Sequence, residues 1–210
     1  MKPIVFCDFD GTITIEETFV AMLKQFAPQI SAEIMPKLYN QELTLRQGVR
    51  QMLESIPSAR YPEVIEFSRR QQIRPGLVEF IDFLDSQAVP FVVVSGGIRI
   101  MVETVLGDLV NRVAAIYAVD IDAQEDYWRV NSEFESGTEL VAKVKVMDLY
   151  ESDEKIAIGD SVTDLNMALN VPLIFARDRL AKYLEEQQKP YIFWTDFFEV
   201  CDYLKNRWNY

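Results

Sequence analysis

The chain has 210 residues, 49% of them apolar, and a formal charge of −12. That length suits one α/β domain, or a core with one inserted subdomain, and either buries a real hydrophobic core. The acidity argues against nucleic acid and anionic membranes as partners, while the lack of any histidine excludes Ser–His and Cys–His nucleophiles and histidine-ligated zinc, leaving carboxylates for acid–base work.

Met1-Lys2-Pro3 leads into a short apolar run that meets an acid at position 8, unlike a signal peptide, and no apolar run approaches the ~18 residues of a membrane span. Cys7 and Cys201 make no disulfide framework and suit a reducing cytoplasm. Residues 2–7, with Ile4, Val5 and Phe6, predict a buried strand ending at two aspartates. Further strands are expected at Phe91–Val94, Val113–Val119, Lys155–Ile158, Pro172–Phe175 and Tyr191–Phe193, without clean alternation, as in strands covered on both faces. Helical spacing lies between them, in Leu77, Phe80, Ile81 and Leu84, in Val162, Leu165 and Leu169, and in Phe197, Val200, Cys201 and Leu204. Such alternation predicts an α/β fold, a parallel sheet with helices on both faces.

One segment, residues 15–73, breaks the alternation. It carries helical stripes (Phe19, Met22, Leu23 and Phe26; Ile30, Ile34 and Leu38; Leu45, Val49, Met52, Leu53 and Ile56) punctuated by Pro28, Pro36, Pro57 and Pro62. A helical insert directly after the first strand looks like a lid, because ligands of open α/β sheets bind at the strands' C-terminal ends; helices packed flat on the sheet are the alternative. Residues 120–137, with Tyr127, Trp128 and Val130, suggest a β-hairpin growing from the third strand.

Three strand ends carry chemistry. Asp8 and Asp10 follow the first, and two carboxylates so close repel one another and gain from a shared cation such as Mg²⁺. Ser95-Gly96-Gly97 follows the second and offers a hydroxyl and two amides to a phosphate. Gly159-Asp160-Ser161-Val162-Thr163-Asp164 follows the fourth, with Asp160 at the sheet edge and Asp164 one helical turn on. Lys143 offers a cation between them, with Lys145 competing for that role. Taken singly, each motif also reads as a turn, an N-cap or a solvated charge.

In this order the motifs resemble the haloacid dehalogenase superfamily: Asp8-Phe9-Asp10-Gly11-Thr12 its first motif, Ser95 its second, Lys143 its third, and residues 159–164 its fourth. The resemblance implies a Rossmann-like core over residues 1–14 and 74–210 and an all-helical C1-type cap over 15–73. It also implies an Mg²⁺-dependent phosphomonoesterase with Asp8 as covalent nucleophile, Asp10 as acid and base, and Lys143⁺ opposite the metal. The metal residues would be Asp8, Asp10 (through its carbonyl), Asp160 and Asp164. Thr12, Ser95, Gly96 and Gly97 would line the phosphate site. A phosphomutase, or a non-catalytic phosphate-binding module, is the rival outside hydrolysis.

Phe26-Ala27-Pro28, the segment 43–49, Ile73-Arg74-Pro75-Gly76, Ser95-Gly96-Gly97 and Phe175-Ala176-Arg177-Asp178 resemble the 2-hydroxy-3-keto-5-methylthiopentenyl-1-phosphate phosphatases of methionine salvage. Ser136-Gly137-Thr138 and Ala142 depart from that family, which often has cysteines before the third-motif lysine. Glu17, nine residues beyond Asp8, instead matches phosphoserine phosphatases, where a carboxylate would meet a substrate ammonium. Arg46, Arg50 and Arg99 are candidates for a substrate carboxylate or enolate. The expected partner is a small phosphorylated metabolite, bound by a cytoplasmic monomer or homodimer.

Overall fold

Apolar residues along the strands go alternately to two cores, so a parallel sheet can be covered on both sides. In β1 (Pro3–Cys7), Ile4 and Phe6 enter one core and Val5 and Cys7 the other. In β2 (Phe91–Ile98), Val92 and Val94 oppose Phe91 and Val93 in the same way. The computed structural model describes residues 2–208 and completes the sheet with β3 (Ala115–Asp122), β4 (Arg129–Asn131), β5 (Glu154–Gly159), β6 (Leu173–Ala176) and β7 (Ile192–Phe193). The strand order is β4-β3-β2-β1-β5-β6-β7. Every pairing is parallel except β3 with β4. That last pair is the hairpin expected after the third strand, with Ile121 opposite Val130.

Between β1 and β2 the chain forms α1 (Thr18–Phe26), α2 (Pro28–Tyr39), α3 (Leu45–Leu53), α4 (Tyr61–Arg69) and α5 (Leu77–Ser86). A capping box at Thr44 and Gln47 starts α3, and Gly48 lets α2 close in, since a Cβ there would lie 2.6 Å from Leu38. The helices α1–α4 pack on one another. They continue onto α6 (Arg99–Leu106) and onto β4, where Trp128 N–H bonds the Ile56 carbonyl. A bridge between Thr14 and Ile73 closes the base of this insert.

Helices α7 (Lys143–Met147), α8 (Leu165–Leu169) and α9 (Asp178–Glu186) cover the Ile4–Phe6 face. The other face is covered by α5 and α10 (Phe197–Arg207), where Phe80 stacks on Phe197 at 5.5 Å. Each such buried ring contributes about 1.5–3 kcal/mol. Among the described residues, no helix is long and apolar enough to cross a membrane.

Three sequence expectations change. The second strand does not stop at Val94 but continues irregularly to Ile98, its register with β3 shifting between those residues. The third starts at Ala115 and runs on to Asp122, because its end pairs with β4. The stripe Val162, Leu165, Leu169 is not the buried face: residues 162–164 form a 3₁₀ turn that rotates the phase, so Met167 and Ala168 are buried while Val162 and Leu169 are exposed.

Candidate active site

Four charged side chains meet where β1 and β5 end. The Asp8 amide donates to the Ile158 carbonyl at 2.9 Å, which holds the first residue past β1 against β5. Lys143, at the first turn of α7, sends its ammonium to Asp8 Oδ1 and Asp164 Oδ1, both at 2.5 Å. Lys143, Asp8, Asp160 and Asp164 are all buried, a setting tolerable only for ions that pair. Asp164 Oδ2 accepts the amides of Asp160 at 3.0 Å and Ser161 at 3.1 Å, so both its oxygens are engaged. That carboxylate folds over the strand end because residue 159 is glycine: a Cβ there would lie 2.6 Å from Asp164 Cγ. Gly11, at φ +79°, lies so close to Asp160 that a Cβ would meet Oδ2 at 2.5 Å. Thr12 Oγ1 donates to Asp160 Oδ1 at 3.2 Å.

Electrostatically the cluster is short of positive charge. Burial, then the neighbouring Asp164 charge, pushes the Asp8 carboxyl well up, against the pull of Lys143. Burial, then Asp8 and Asp164, does the same to Asp160. Burial works against the Lys143 ammonium, but Asp164 and Asp8 outweigh it and hold its pKa above the ordinary value. Asp8 Oδ2 is buried with no hydrogen-bond partner, and Asp8, Asp160 and Asp164 each offer an oxygen within 4.8 Å of the others. A buried acidic set with an orphaned oxygen fits a hard divalent cation.

Asp10 is built differently. Its Oδ1 accepts from the Thr18 hydroxyl and from the Phe19 amide at 2.9 Å, and its Oδ2 from Ser95 Oγ at 3.4 Å. Its carboxylate is thus engaged by α1 and β2 and does not join the Asp8–Asp160–Asp164 set. Burial raises its pKa, and the Thr18 and Phe19 bonds restrain the rise. Gly97 is needed here too, since a Cβ would lie 2.8 Å from Asp10 Oδ2; its amide is occupied by Ser95 Oγ at 3.0 Å. Gly96 meets nothing within 4 Å of a Cβ position.

A cleft of about 410 Å³ opens beside this centre, lined by Gly11, Ile15, Glu17, Asp160, Asp178, Arg179 and Lys182. Glu17 stands in its wall, paired with Arg179 at 3.6 Å. Arg46 is elsewhere engaged: its side chain bonds Glu135 at 2.7 Å and its amide the Thr138 carbonyl, joining the insert to the loop before α7. Arg50 also binds Glu135, and Arg99 binds Asp120. None of the three bonds an acid of the buried cluster, because each finds an acid of its own nearby. The competition between the two lysines is decided by position: Lys145 is turned to the Glu135 carbonyl.

Sequence reasoning passed over Thr18, read Phe19 only as part of an apolar stripe, and used Arg74 only as part of a motif. Arg74 is buried and bonds the carbonyls of Gly11, Thr12, Thr14, Ile15 and Thr195. An arginine directly before Pro-Gly, at the insert's return, was the available signal.

A strand-end nucleophile candidate, a buried lysine and a paired acidic loop on a parallel α/β sheet define a class. The chain belongs to the haloacid dehalogenase-like hydrolase family, whose model matches residues 5–169, and within it the chain is a phosphatase. It is 55% identical over 206 residues, 97% of this chain and 98% of the relative, to a 2-hydroxy-3-keto-5-methylthiopentenyl-1-phosphate phosphatase of Microcystis aeruginosa. A phosphatase of the same name from Bacillus cereus is 33% identical over 210 residues, 96% of this chain and 95% of the relative. Among solved structures, a substrate-bound phosphoserine phosphatase complex superimposes with a TM-score of 0.72 at 20% identity, covering 97% of this chain and 98% of that one. At that identity the likeness concerns the fold.

Proposed function

We propose that the chain hydrolyses 2-hydroxy-3-keto-5-methylthiopentenyl-1-phosphate through an aspartyl-phosphate on Asp8, with Mg²⁺ as cofactor. The observation that carries the chemistry is the state of Asp8: one oxygen is bound by Lys143, the other is buried without a partner, and the carboxylate contributes an oxygen to a set with Asp160 and Asp164 lying within 4.8 Å of one another. The substrate follows from the near-full-length identity to phosphatases of that name.

Asp8 attacks phosphorus as the bond to the substrate's ester oxygen breaks, and Asp10 gives that oxygen its proton. Asp10, now a carboxylate, takes a proton from water as that water attacks the phosphorus of the aspartyl-phosphate, which frees Asp8 and phosphate. The Thr18 and Phe19 donors hold Asp10 for both transfers. Asp8, Asp160 and the Asp10 carbonyl would hold the Mg²⁺, which when bound offsets the charge of the carboxylates and the phosphoryl oxygens. With both of its oxygens occupied, Asp164 serves as the support of Lys143 and of the 160–161 turn. Ser95, Gly96, Gly97 and Thr12 border the phosphoryl site, and residues 15–73 act as the cap over a core of 1–14 and 74–210. Free, buried Cys7 and Cys201 support a cytoplasmic setting.

Glu17 on the cleft wall favours phosphoserine as a second substrate reading, though Arg179 already partners that carboxylate. Phosphate release should be measured across the methionine-salvage enol phosphate, phosphoserine and an aryl phosphate, with and without EDTA. The expected result is preference for the enol phosphate, loss with EDTA, and loss by on the order of 10⁴-fold or more in Asp8→Asn. Activity surviving in Asp8→Asn sinks the mechanism; preference for phosphoserine overturns only the substrate.

A further inference from the structure

We propose that Arg74 is a positioning residue for the reaction: it fixes the turn 11–15, and through that turn the relation of Asp8 and Asp10 to Asp160. This role rests on Asp8 being the nucleophile, as proposed above. Five consecutive carbonyls, one after another along the turn, accept from this single residue. The guanidinium reaches Gly11 O at 2.6 Å, Thr12 O at 2.8 Å, Thr14 O at 3.1 Å and Ile15 O at 3.2 Å, while the Arg74 amide takes Ile13 O at 2.8 Å. The Gly11 amide is spent locally, on Thr14 Oγ1 at 3.0 Å and on the Glu16 carbonyl at 3.1 Å.

The charge state argues for geometry over packing. Arg74 is 6% exposed and, among the described residues, forms no direct ion pair, although the Asp178 and Asp160 charges favour its cation at longer range; its fifth side-chain acceptor is the Thr195 carbonyl, and it lies over Trp194 at 5.4 Å. Burial of a cation without a directly bonded counter-ion is costly, and an apolar side chain of similar volume would fill the space without that cost. What the apolar side chain lacks is a planar fork of five donors able to gather several carbonyls around one plane. Those carbonyls belong to the segment that begins directly after Asp10, includes Thr12 beside Asp160, and ends where the insert begins. Arg177 supplies an internal control. It lies over the same tryptophan at 5.5 Å and binds the same Thr195 carbonyl at 3.0 Å, yet it forms no hydrogen bond to residues 11–15.

The test compares Arg74→Met, Arg74→Lys and Arg177→Met by steady-state kinetics on an aryl phosphate and by thermal unfolding, with Asp8→Asn alongside. In Arg74→Met and Arg74→Lys, kcat should fall about 100-fold, the size of a misplacement near 1 Å, with KM nearly unchanged. Lysine should recover much of the lost melting temperature but not the rate, and a few millimolar methylguanidinium should partly restore kcat in Arg74→Gly. Arg177→Met should keep wild-type kcat. Full kcat in folded Arg74→Met or Arg74→Lys overturns the proposal, as does a loss of equal size in Arg177→Met. If Asp8→Asn stays active, the phosphatase mechanism has failed, and that outcome is read separately from the arginine series.

Discussion

Around Asp8 every charged contact is short and dry, whereas where the insert meets the core the charged contacts are long or wet. Lys143 sits 2.5 Å from both Asp8 and Asp164, with side-chain exposures of 2%, 5% and 0%. Glu17 and Arg179 are 3.6 Å apart and 41% and 52% exposed, and Arg46 with Glu135 is 44% and 21% exposed. The proposed reaction centre therefore has its geometry set before substrate arrives, as electrostatic stabilisation requires. The surfaces that would read the leaving group are held by pairs worth about 0–1 kcal/mol each, weak enough to exchange partners. On the proposed mechanism, chemistry and selectivity should be separable, and substitutions test it.

The largest effect is expected at Lys143. Lys143→Met strands two buried carboxylates, at a cost of about 3–5 kcal/mol if they stay charged. It also removes the cation that the proposed mechanism sets opposite the phosphoryl group, which should lower kcat by about 10²–10³-fold. Thermal unfolding and single-turnover rates check both parts. Activity within tenfold of wild type would mean that the buried centre is no more exacting than the surface.

A second, intermediate effect concerns metal and pH together. Asp8 is raised to about 7 and Asp160 to about 9, above an unfolded value of about 3.9. Their protonated forms thus favour the folded, metal-free chain. That contribution is complete below about pH 3.9 and fades as pH rises through about 7 and then about 9. In EDTA the melting temperature should fall between neutral pH and about pH 9, and saturating Mg²⁺ should offset the loss, by about 2.7 kcal/mol at a hundredfold excess over Kd. Equal stability with and without Mg²⁺ across that range would remove the case for a cation on Asp8 and Asp160.

Much of the buried centre was legible because it depends on residue type at strand ends. Asp8, Asp160 and Lys143 are chemically unusual where they stand, and strand–helix alternation carries them to one edge. Arg74 was not legible as a clamp, because its acceptors are backbone carbonyls that any sequence possesses, those of the turn 59 to 63 positions away. Thr18 and Phe19 looked like the ordinary start of a helix; only the turn at Gly11 brings them to Asp10. Arg46 was expected at substrate because an arginine in an insert reads as an anion site. The loop carrying Glu135 folds beneath it and takes it first. The apolar stripe after Asp160 misled for a different reason: helical periodicity assumes 100° per residue, and the 3₁₀ turn over 162–164 advances faster.

Glu135 gives the smallest effect and the most direct check on whether the two regions are independent. It holds Arg46 and Arg50 together, so it is the main charged tie between insert and core on that side. The loop it stands on leads to Lys143, and a disturbance could in principle travel along the chain. Two bonds oppose that: Ala142 N–H to the Phe134 carbonyl at 2.8 Å and Ser132 Oγ to the Leu140 carbonyl at 2.5 Å close the loop on itself before α7 begins. Glu135→Gln should therefore cost no more than about 1 kcal/mol of stability, leave kcat unchanged, and move KM by a few-fold at most as the insert loosens. A tenfold fall in kcat, measured beside KM and the unfolding midpoint, would show that the exposed tie sets the position of Lys143 and that the two regions work as one.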